Sequence, residues 1–416
     1  MTCRNQHRIF RVVQQLVLAG AMVFLASAAQ AQTYNIIHNF AGRDGSGPSF
    51  GLTSDRAGNL YGTTELGGTH CGDSGCGTVF EMVRHGSNWI LKQLYDFAGG
   101  TDGEFPLSGV IFGADGNLYG ATNGGGQYGA GTIYKLQPPA TVCKKAMCPW
   151  QETVLYSFTG LSDGRLPEGD LIFDQAGNLY GTTSVGGGGS CSGGCGVVFQ
   201  LTPAHGSWTF SVVYTFTGLA DGALPESGVI LDHSGNLNGT TVAGGAHSNG
   251  TVFELTKAGA VWTKTVLHDF AGGSDGQFPQ AGLVFDPVGN LFGFAEFGGS
   301  HNQGTAFELQ SSSGGWNYSV LFDFGLQSQN PVYTPTLDSA GNLYGAANSG
   351  GAHAAGAIFK LTFSGGSWSY VSLHDFTGPD GEYPYGGVVF DPEGNLYGTA
   401  SGGGANYRGV VWEITP

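Results

Sequence analysis

The sequence predicts an all-β protein, a seven-bladed β-propeller with four antiparallel strands in each blade. Three observations lead to this fold. Glycine accounts for 76 of the 416 residues without the three-residue period of collagen. A word close to G-N-L-Y-G recurs seven times, and each copy contains four short strand patterns. After residue 31 no long stretch places apolar residues at helical spacing.

The N-terminal segment, residues 1–31, has a different character. Three arginines precede an apolar run over residues 16–28, and the small-residue triplet Ala29-Gln30-Ala31 follows. This order is typical of a secretory signal peptide, so we expect cleavage near Ala31 and an extracellular or periplasmic protein. An uncleaved membrane anchor is the alternative, although the apolar run is short for a span. Residues 32–416 are then expected to form one propeller domain with no membrane span.

The charge of the chain limits its partners. The formal net charge is −16, and loss of the three leader arginines would bring the mature chain near −19. Such an acidic protein is a poor ligand for nucleic acid or anionic membranes. We therefore expect a soluble monomer whose partner is an extracellular glycan or protein.

The repeated word sets the blade period. Its copies follow one another at steps of 52 to 61 residues, and their first glycines are Gly58, Gly116, Gly177, Gly235, Gly289, Gly341 and Gly394. The third copy shows the pattern of one unit, with strand patterns at 153–158, 169–174, 179–183 and 196–203. Four strands in about 55 residues is the size of a propeller blade.

A tight turn precedes the repeated L-Y-G in each unit. In the third copy it contains Asp174, Gly177 and Asn178, residue types that accept backbone N–H groups or tolerate positive φ. We interpret this aspartate as a turn residue with no catalytic role. Its counterparts are Asp55, Asp232, Asp286, Asp338 and Asp391, and the second copy has Gly113 instead.

Tryptophan positions predict how the ring closes. Trp150 lies eight residues before Phe158, and five other Trp–Phe pairs keep this spacing. The first phenylalanine of the series, Phe40, has no tryptophan before it, and the chain stops at "VVWEITP", where the fourth strand pattern of the last copy ends. Residues 33–40 are therefore predicted to supply the missing strand of the seventh blade, which leaves no open sheet edge.

Six cysteines follow the leader, in close pairs: Cys71 and Cys76, Cys143 and Cys148, Cys191 and Cys195. In an exported protein such pairs favour three local disulfides. A metal site is the alternative, although no second pair completes any of them at zinc-finger spacing.

The loops between blades carry a recurring D-G pair. Six carboxylates at matching positions near the channel mouth could hold Ca²⁺ or attract a cationic ligand. The alternative is that D-G is simply favourable turn chemistry. The residues are Asp44, Asp102, Asp163, Asp221, Asp275 and Asp380, and the sixth blade has Gln327.

A second set of loops, rich in glycine, follows the repeated word. Histidine occupies matching loop positions in four copies, at His70, His247, His301 and His353. Imidazoles from several blades could bind a metal or act as acid or base. The alternative is that these histidines are exposed polar residues without a specific role, because no carboxylate recurs beside them in the sequence to orient them. Three loop tyrosines, Tyr128, Tyr385 and Tyr407, could stack on sugar rings.

The stretches "GLVFDPVGNLFG", "GNLYGTT…GG" and "GTVFEL" resemble the tandem repeat of bacterial choice-of-anchor GloVer-containing proteins. The resemblance covers essentially all of residues 33–416. It implies an exported bacterial protein, often attached to the cell surface in this family, although here nothing follows the last repeat. It supplies no catalytic residues. A weaker likeness to NHL-type and gluconolactonase-like propellers rests on the "GLVFDPVGNLFG" hairpin alone.

Two functions remain open at this point. The first is an exported binding or interaction module for a carbohydrate or protein. The second is a secreted, metal-assisted hydrolase or lyase with its site at the channel mouth. The sequence contains no H-E-x-x-H motif and no phosphate-binding loop. The propeller fold does not decide between the two functions, because propellers include both binding proteins and enzymes.

Overall fold

Seven antiparallel sheets are arranged as the blades of a propeller, as predicted. The computed structural model describes residues 32–86, 88–139, 149–259 and 261–416. The predicted signal peptide, residues 1–31, and the predicted Cys143–Cys148 disulfide lie outside the described residues. We number the blades one to seven in chain order, starting from the sheet that contains residues 53–96, and we name the four strands of each blade from the ring axis outwards.

The innermost strands are short, and the second strands carry the L-Y-G word. The innermost strands are Thr53–Ser54, Ile111–Phe112, Ile172–Phe173, Ile230–Leu231, Val284–Phe285, Thr336–Leu337 and Val389–Phe390. The second strands are Leu60–Thr64, Leu118–Thr122, Leu179–Thr183, Leu237–Thr241, Leu291–Ala295, Leu343–Ser349 and Leu396–Ala400. Blade six has one additional strand, Gln329–Pro331, which pairs with its second strand.

The third and outer strands are longer. The third strands are Thr78–His85, Thr132–Gln137, Val197–Ala204, Thr251–Ala258, Thr305–Ser312, Ala357–Ser364 and Val410–Thr415. The outer strands are Asn88–Asp96, Gln151–Ser157, Ser207–Thr215, Val261–Asp269, Gly315–Asp323, Ser367–Asp375 and Thr33–Asn39. The helical elements within the described residues are two 3₁₀ turns, Gly100–Asp102 and Gly273–Asp275.

The N-terminal strand closes the ring as predicted. Thr33–Asn39 pairs antiparallel with Val410–Thr415 and so becomes the outer strand of blade seven. A side-chain contact adds to this closure, because the Thr399 hydroxyl of blade seven donates to the Phe50 carbonyl of blade one at 3.1 Å. Thr63, Thr182 and Thr240 make the equivalent bond between other neighbouring blades.

The turn aspartates act as the sequence predicts. Asp174 Oδ1 accepts from the backbone N–H groups of Ala176 and Asn178 at 2.9 and 2.8 Å. Its Oδ2 accepts from Asn178 Nδ2 at 2.7 Å and from the Tyr180 hydroxyl at 3.1 Å. In blade two the side chains of Asn117 and Tyr119 donate to Asp115 Oδ2 instead, although Asp115 lies two residues after the expected position.

Aromatic rings join neighbouring blades. Tyr119 of blade two meets Phe173 of blade three edge to face, with ring centroids 5.0 Å apart. Trp208 of blade three packs on the same tyrosine at 6.0 Å. Such edge-to-face pairs add stabilisation beyond the burial of their area. The tyrosine of the repeated word is therefore a packing residue between blades.

Two of the predicted disulfides lie within the described residues. Cys71–Cys76 and Cys191–Cys195 are both bonded, with Cα atoms 5.5 and 5.1 Å apart. Disulfides of this kind are typical of proteins that work outside the reducing cytosol. Among the described residues, no helix has the length and hydropathy needed to cross a membrane.

Candidate functional site at the channel mouth

The D-G aspartates accept hydrogen bonds from their own loops. Asp163 Oδ2 accepts from the Thr159 N–H at 2.7 Å and from the Tyr156 hydroxyl at 2.9 Å. The other five repeat this pattern with a backbone N–H and with an outer-strand tyrosine or histidine. Those pairs are Asp44 with His38, Asp102 with Tyr95, Asp221 with Tyr214, Asp275 with His268 and Asp380 with His374.

These bonds favour the ionised form of Asp163 and of Asp221. Burial alone would raise the pKa of Asp163, but the hydrogen bonds from Thr159 and Tyr156 outweigh it, so the pKa is lowered. The pKa of Asp221 is lowered for the same reason. The glycine that follows is required by the turn: Gly164 has φ +98°, and a Cβ there would lie 2.2 Å from Thr183 Oγ1.

The four loop histidines are exposed and lie apart from one another. His70 Nδ1 is 3.4 Å from Asp96 Oδ2, and His301 Nδ1 is 3.0 Å from Ser300 Oγ. His247 and His353 are also exposed. The structure thus places these side chains at matching positions of separate loops.

The predicted aspartates and histidines do not form a compact ligand set. Among the described residues, the one group of three possible metal ligands within 4.8 Å is Cys71, Cys76 and Glu104. Those two cysteines are joined in a disulfide, so they do not offer thiolates to a metal.

A cavity of about 580 Å³ lies on the ring axis, at the face that the D-G loops approach. All seven blades or the loops that lead into them contribute residues to its wall, which places it at the mouth of the central channel. We call it the mouth cavity. Most of its residues lie just after the loop proline that precedes an innermost strand, and others lie just after a second strand. This volume is in the range of small-molecule sites.

Two unlike walls face each other across the mouth cavity. Blades three to five contribute polar side chains, Glu168, Asp170, Glu226 and Gln280. Blades six, seven and one contribute the aromatic rings of Tyr333, Tyr385 and Phe50. Glu65 of blade one adds a carboxyl group, and neither lysine nor arginine is found among the residues that the structure describes in the lining.

Four carboxyl groups of the lining, and that of Glu296 near Glu226, have raised pKa values. We call Glu65, Glu168, Asp170, Glu226 and Glu296 the mouth acids. Burial, together with a smaller effect of the Glu226 charge, raises the pKa of Glu168 and that of Glu296 to about 7 in each case. Burial also raises the pKa of the other three. Near neutral pH Glu168 and Glu296 can therefore donate hydrogen bonds as well as accept them.

Amide side chains hold several of these groups in place. Asn123 Nδ2 donates to Glu168 Oε1 at 2.7 Å, and Gln280 Nε2 donates to Glu226 Oε2 at 2.7 Å. On the aromatic wall, Asn348 Nδ2 donates to the Tyr385 hydroxyl at 2.8 Å. The mouth is therefore a set of oriented polar groups, which is the arrangement that specific binding requires.

Sequence reasoning identified Tyr385 but missed Glu168, Asp170, Glu226 and Tyr333. The signal was present in departures from the repeat. Asp170 stands three residues after its loop proline, where five other blades have glycine.

The motif G-x-S-x-G, which marks the nucleophile of many hydrolases, occurs at 160–164 and 272–276. In both places it forms a D-G loop and not the strand-to-helix elbow of a hydrolase.

Comparison with known proteins identifies the family. The model of the Gloeobacter/Verrucomicrobia repeat matches residues 19–231, 141–333 and 230–416. The chain belongs to this family. The match agrees with the resemblance to GloVer-repeat proteins seen in the sequence.

Proteins with named activities are more distantly similar to this Gloeobacter/Verrucomicrobia repeat protein. A xyloglucanase of a Paenibacillus species is 26% identical over 314 residues, which is 68% of this chain and 28% of that enzyme. The chain thus spans little more than a quarter of that relative's length.

Two solved structures share the fold. A putative 6-phosphogluconolactonase of Bacteroides fragilis has a TM-score of 0.51 and 15% identity, over 82% of this chain and 88% of that one. A periplasmic gluconolactonase of Pseudomonas aeruginosa also has a TM-score of 0.51, with 16% identity over 79% and 85%. At this identity the likeness concerns the fold alone.

Proposed function

We propose that this protein binds an uncharged saccharide in the mouth cavity, outside the cytoplasm. The observation that carries the proposal is the pair of facing walls, with the rings of Tyr385 and Phe50 opposite carboxyl and amide groups and with Tyr333 reaching across to Asp170. A sugar ring has an apolar face that packs on an aromatic side chain and hydroxyl groups at its edge that exchange hydrogen bonds. The cavity offers both kinds of partner at once.

The charge of the cavity lining restricts the class of saccharide that can bind. The mouth acids carry negative charge or protons, and the described lining holds no lysine or arginine to balance an anionic ligand. A sugar phosphate or a uronate would therefore meet repulsion without compensation. This argues for a neutral saccharide, and xyloglucan, the polysaccharide in the name of the Paenibacillus enzyme, belongs to this class.

The setting outside the cytoplasm has its own support. Cys71–Cys76 and Cys191–Cys195 are bonded, and the N-terminal pattern is that of a signal peptide with cleavage near Ala31. Residues 32–416 would then form the mature propeller domain.

Calorimetric titration with xyloglucan-derived oligosaccharides tests the binding proposal. Tyr385→Ala removes one ring from the aromatic wall and should weaken binding roughly five- to tenfold, the size of a stacking contact of about 1 kcal/mol. Tyr407→Ala is the matched control, because Tyr407 is 82% exposed and does not line the cavity. Equal loss in both variants, or no binding by the wild-type protein, would contradict the proposal. An oligogalacturonate should bind at least about tenfold more weakly than the neutral ligand.

A hydrolase is the second candidate, favoured by the carboxyl groups of Glu168 and Glu226. Glycoside hydrolysis commonly uses one protonated carboxyl group as acid and one carboxylate as base or nucleophile. Burial and the Glu226 charge raise the pKa of Glu168 to about 7, so it can hold a proton at neutral pH. Release of reducing ends from xyloglucan by the wild type, with loss in Glu168→Gln and retention in Tyr407→Ala, would establish this function instead of binding alone.

A further inference from the structure

Two side chains from opposite sides of the ring meet in a hydrogen bond and together form the floor of the mouth cavity. The Tyr333 hydroxyl of blade six donates to Asp170 Oδ2 of blade three at 2.5 Å. Asp170 Oδ1 accepts at the same time from the Gly109 N–H of blade two at 2.8 Å. The tyrosine and the aspartate are 163 residues apart in the sequence, and their blades lie on opposite sides of the axis.

Glycines at the start of two innermost strands let the tyrosine ring reach across. A Cβ on Gly387 of blade seven would lie 2.5 Å from Tyr333 Cδ1, and a Cβ on Gly51 of blade one would lie 2.8 Å from the Tyr333 hydroxyl oxygen. The ring therefore rests on the backbone of blades seven and one while its hydroxyl group reaches blade three.

This bridge lies between two cavities. Below the mouth cavity, a second cavity of about 300 Å³ is lined by the innermost strands of all seven blades, so it is the central channel. Asp170 and Tyr333 line both cavities. A molecule that enters the mouth along the axis therefore meets the Tyr333–Asp170 bridge before it can reach the channel.

We infer that the mouth cavity takes the end of a saccharide chain, and not an internal segment of it. The inference rests on the saccharide-binding function proposed above. Residues of all seven blades surround the cavity and the bridge lies at its floor, so a chain that enters along the axis ends at the floor. Tyr333 is then the residue that contacts the terminal sugar unit.

Titration with one polymer at two chain lengths tests this inference. The probe is an unbranched neutral β-glucan, which has no side-chain ends, at fixed mass concentration, either intact or cut to chains about tenfold shorter. If the protein binds ends, the number of binding sites per unit mass rises about tenfold with the shorter chains. An unchanged number of sites per unit mass, with binding intact, would overturn the inference and leave the proposed saccharide binding in place. Failure to bind either sample would overturn both.

Two variants at the floor give an independent readout. Tyr333→Ala removes the ring and should weaken binding of a short xyloglucan oligosaccharide at least about tenfold, whereas Tyr333→Phe keeps the ring and should lose about threefold or less. If the Tyr333→Ala protein has the melting temperature of the Tyr333→Phe protein and the oligosaccharide affinity of the wild type, Tyr333 does not contact the terminal sugar unit.

Discussion

Asp115 Oδ2 accepts a hydrogen bond from the Tyr119 hydroxyl at 2.8 Å, so blade two keeps the aspartate–tyrosine contact that Asp174 and Tyr180 make in blade three at 3.1 Å. The repeat conserves the contact although the aspartate moves by two positions along the chain. Asp115 also accepts from the Asn117 side chain and its backbone N–H. The turn therefore requires a carboxylate near this tyrosine more than it requires a particular position.

The first prediction concerns that turn. Asp115→Ala leaves the Tyr119 hydroxyl and the Asn117 side chain without their acceptor, so it should lower the free energy of unfolding by about 1–3 kcal/mol. Asp174→Ala should cost a similar amount. The measurement is the denaturation midpoint in guanidinium chloride, with exposed Asp73→Ala as control. A loss in Asp115→Ala no larger than that of the control would show that Asp115 does not replace the missing turn residue.

Replacement of a buried lysine should stabilise the protein. Burial lowers the pKa of Lys264 to about 8, against the attraction of Asp221 and Asp269, and its Nζ has no hydrogen-bond partner within the described part of the chain. Below pH 8 the folded state holds a buried charge, and this cost falls as the pH rises from 8 to 10.5. Lys264→Leu should therefore raise stability at pH 7 by about 1–2 kcal/mol.

Leucine is a suitable replacement because Leu91 holds the equivalent position in blade one, two residues after its tryptophan. The melting temperature should rise at pH 7 and rise less at pH 9.5. Lys92→Leu is the matched control, since that side chain is 53% exposed and pairs with Glu81 at 3.2 Å; its effect should stay within about 0.5 kcal/mol. Equal shifts in both variants would argue against a cost of burial at Lys264.

The mouth acids should make stability fall as the pH rises. The pKa of Glu168 is raised by burial and by Glu226 to about 7, above its ordinary value, so the folded state favours the protonated form. Its penalty is absent below pH 4.5, grows up to pH 7 and is complete above that. Glu168→Gln should therefore raise the melting temperature at pH 8, by the equivalent of about 1–2 kcal/mol, and leave it unchanged at pH 4.5. Exposed Glu393→Gln should show no such pH dependence, and a flat difference for Glu168→Gln would contradict the raised pKa.

A histidine in an outer strand should weaken the protein in acid. Burial lowers the pKa of His374, against the charge of Asp380, so folding favours the neutral ring and stability is lost as the pH falls below 6.5. Blades one to three place Tyr95, Tyr156 and Tyr214 in the hydrogen-bonding role of this histidine. His374→Tyr should reduce the loss of melting temperature between pH 7 and pH 5, compared with the wild type and with exposed His85→Tyr. An identical loss in all three proteins would refute this account.

Removal of divalent metal tests the calcium site that the sequence suggested. The D-G aspartates accept hydrogen bonds from their own loops, as Asp163 does from Thr159 and Tyr156. Those bonds do not depend on an ion, so we expect a chelator to leave the melting temperature unchanged. A drop of several degrees, restored by Ca²⁺ and abolished in Asp221→Ala, would instead establish a metal site in these loops.

Most of the fold could be predicted because it repeats. The period of the G-N-L-Y-G word determines the number of blades, and alternation within each copy determines four strands. The spacing from Trp150 to Phe158 and its repetitions predicted that residues 33–40 would complete blade seven, and Thr33–Asn39 does so. Turn chemistry likewise predicted the role of Asp174, because an Asp-x-x-Gly-Asn turn works through local contacts.

The mouth was harder to predict for a physical reason. A repeat reveals what blades share, whereas a binding site on the ring axis is made from what single blades do differently. Asp170 and Tyr333 each depart from the repeat, and their contact joins positions 163 residues apart. Only closure of the ring places the loops of blades three and six opposite each other, so no local pattern indicates that these two side chains meet.

Recurrence also drew attention to the D-G aspartates and to the loop histidines, such as His247. A residue that recurs in every blade more often stabilises the blade than binds a ligand. Asp163 is an example, because its hydrogen bonds are to Thr159 and Tyr156 of its own loop and the preceding strand. Departures from the consensus just after the loop proline, such as Glu168 and Glu226, were the more informative signal in this chain.

Hydrogen–deuterium exchange with a xyloglucan-derived oligosaccharide tests the central claim most directly, because it locates the ligand as well as detecting it. The account predicts slower exchange on ligand addition at the segments that form the mouth cavity, residues 46–51, 165–171, 223–229 and 331–334, with outer strands such as Gly315–Asp323 unchanged. Protection confined to the outer strands, or no protection at a saturating ligand concentration, would contradict a saccharide site at the channel mouth.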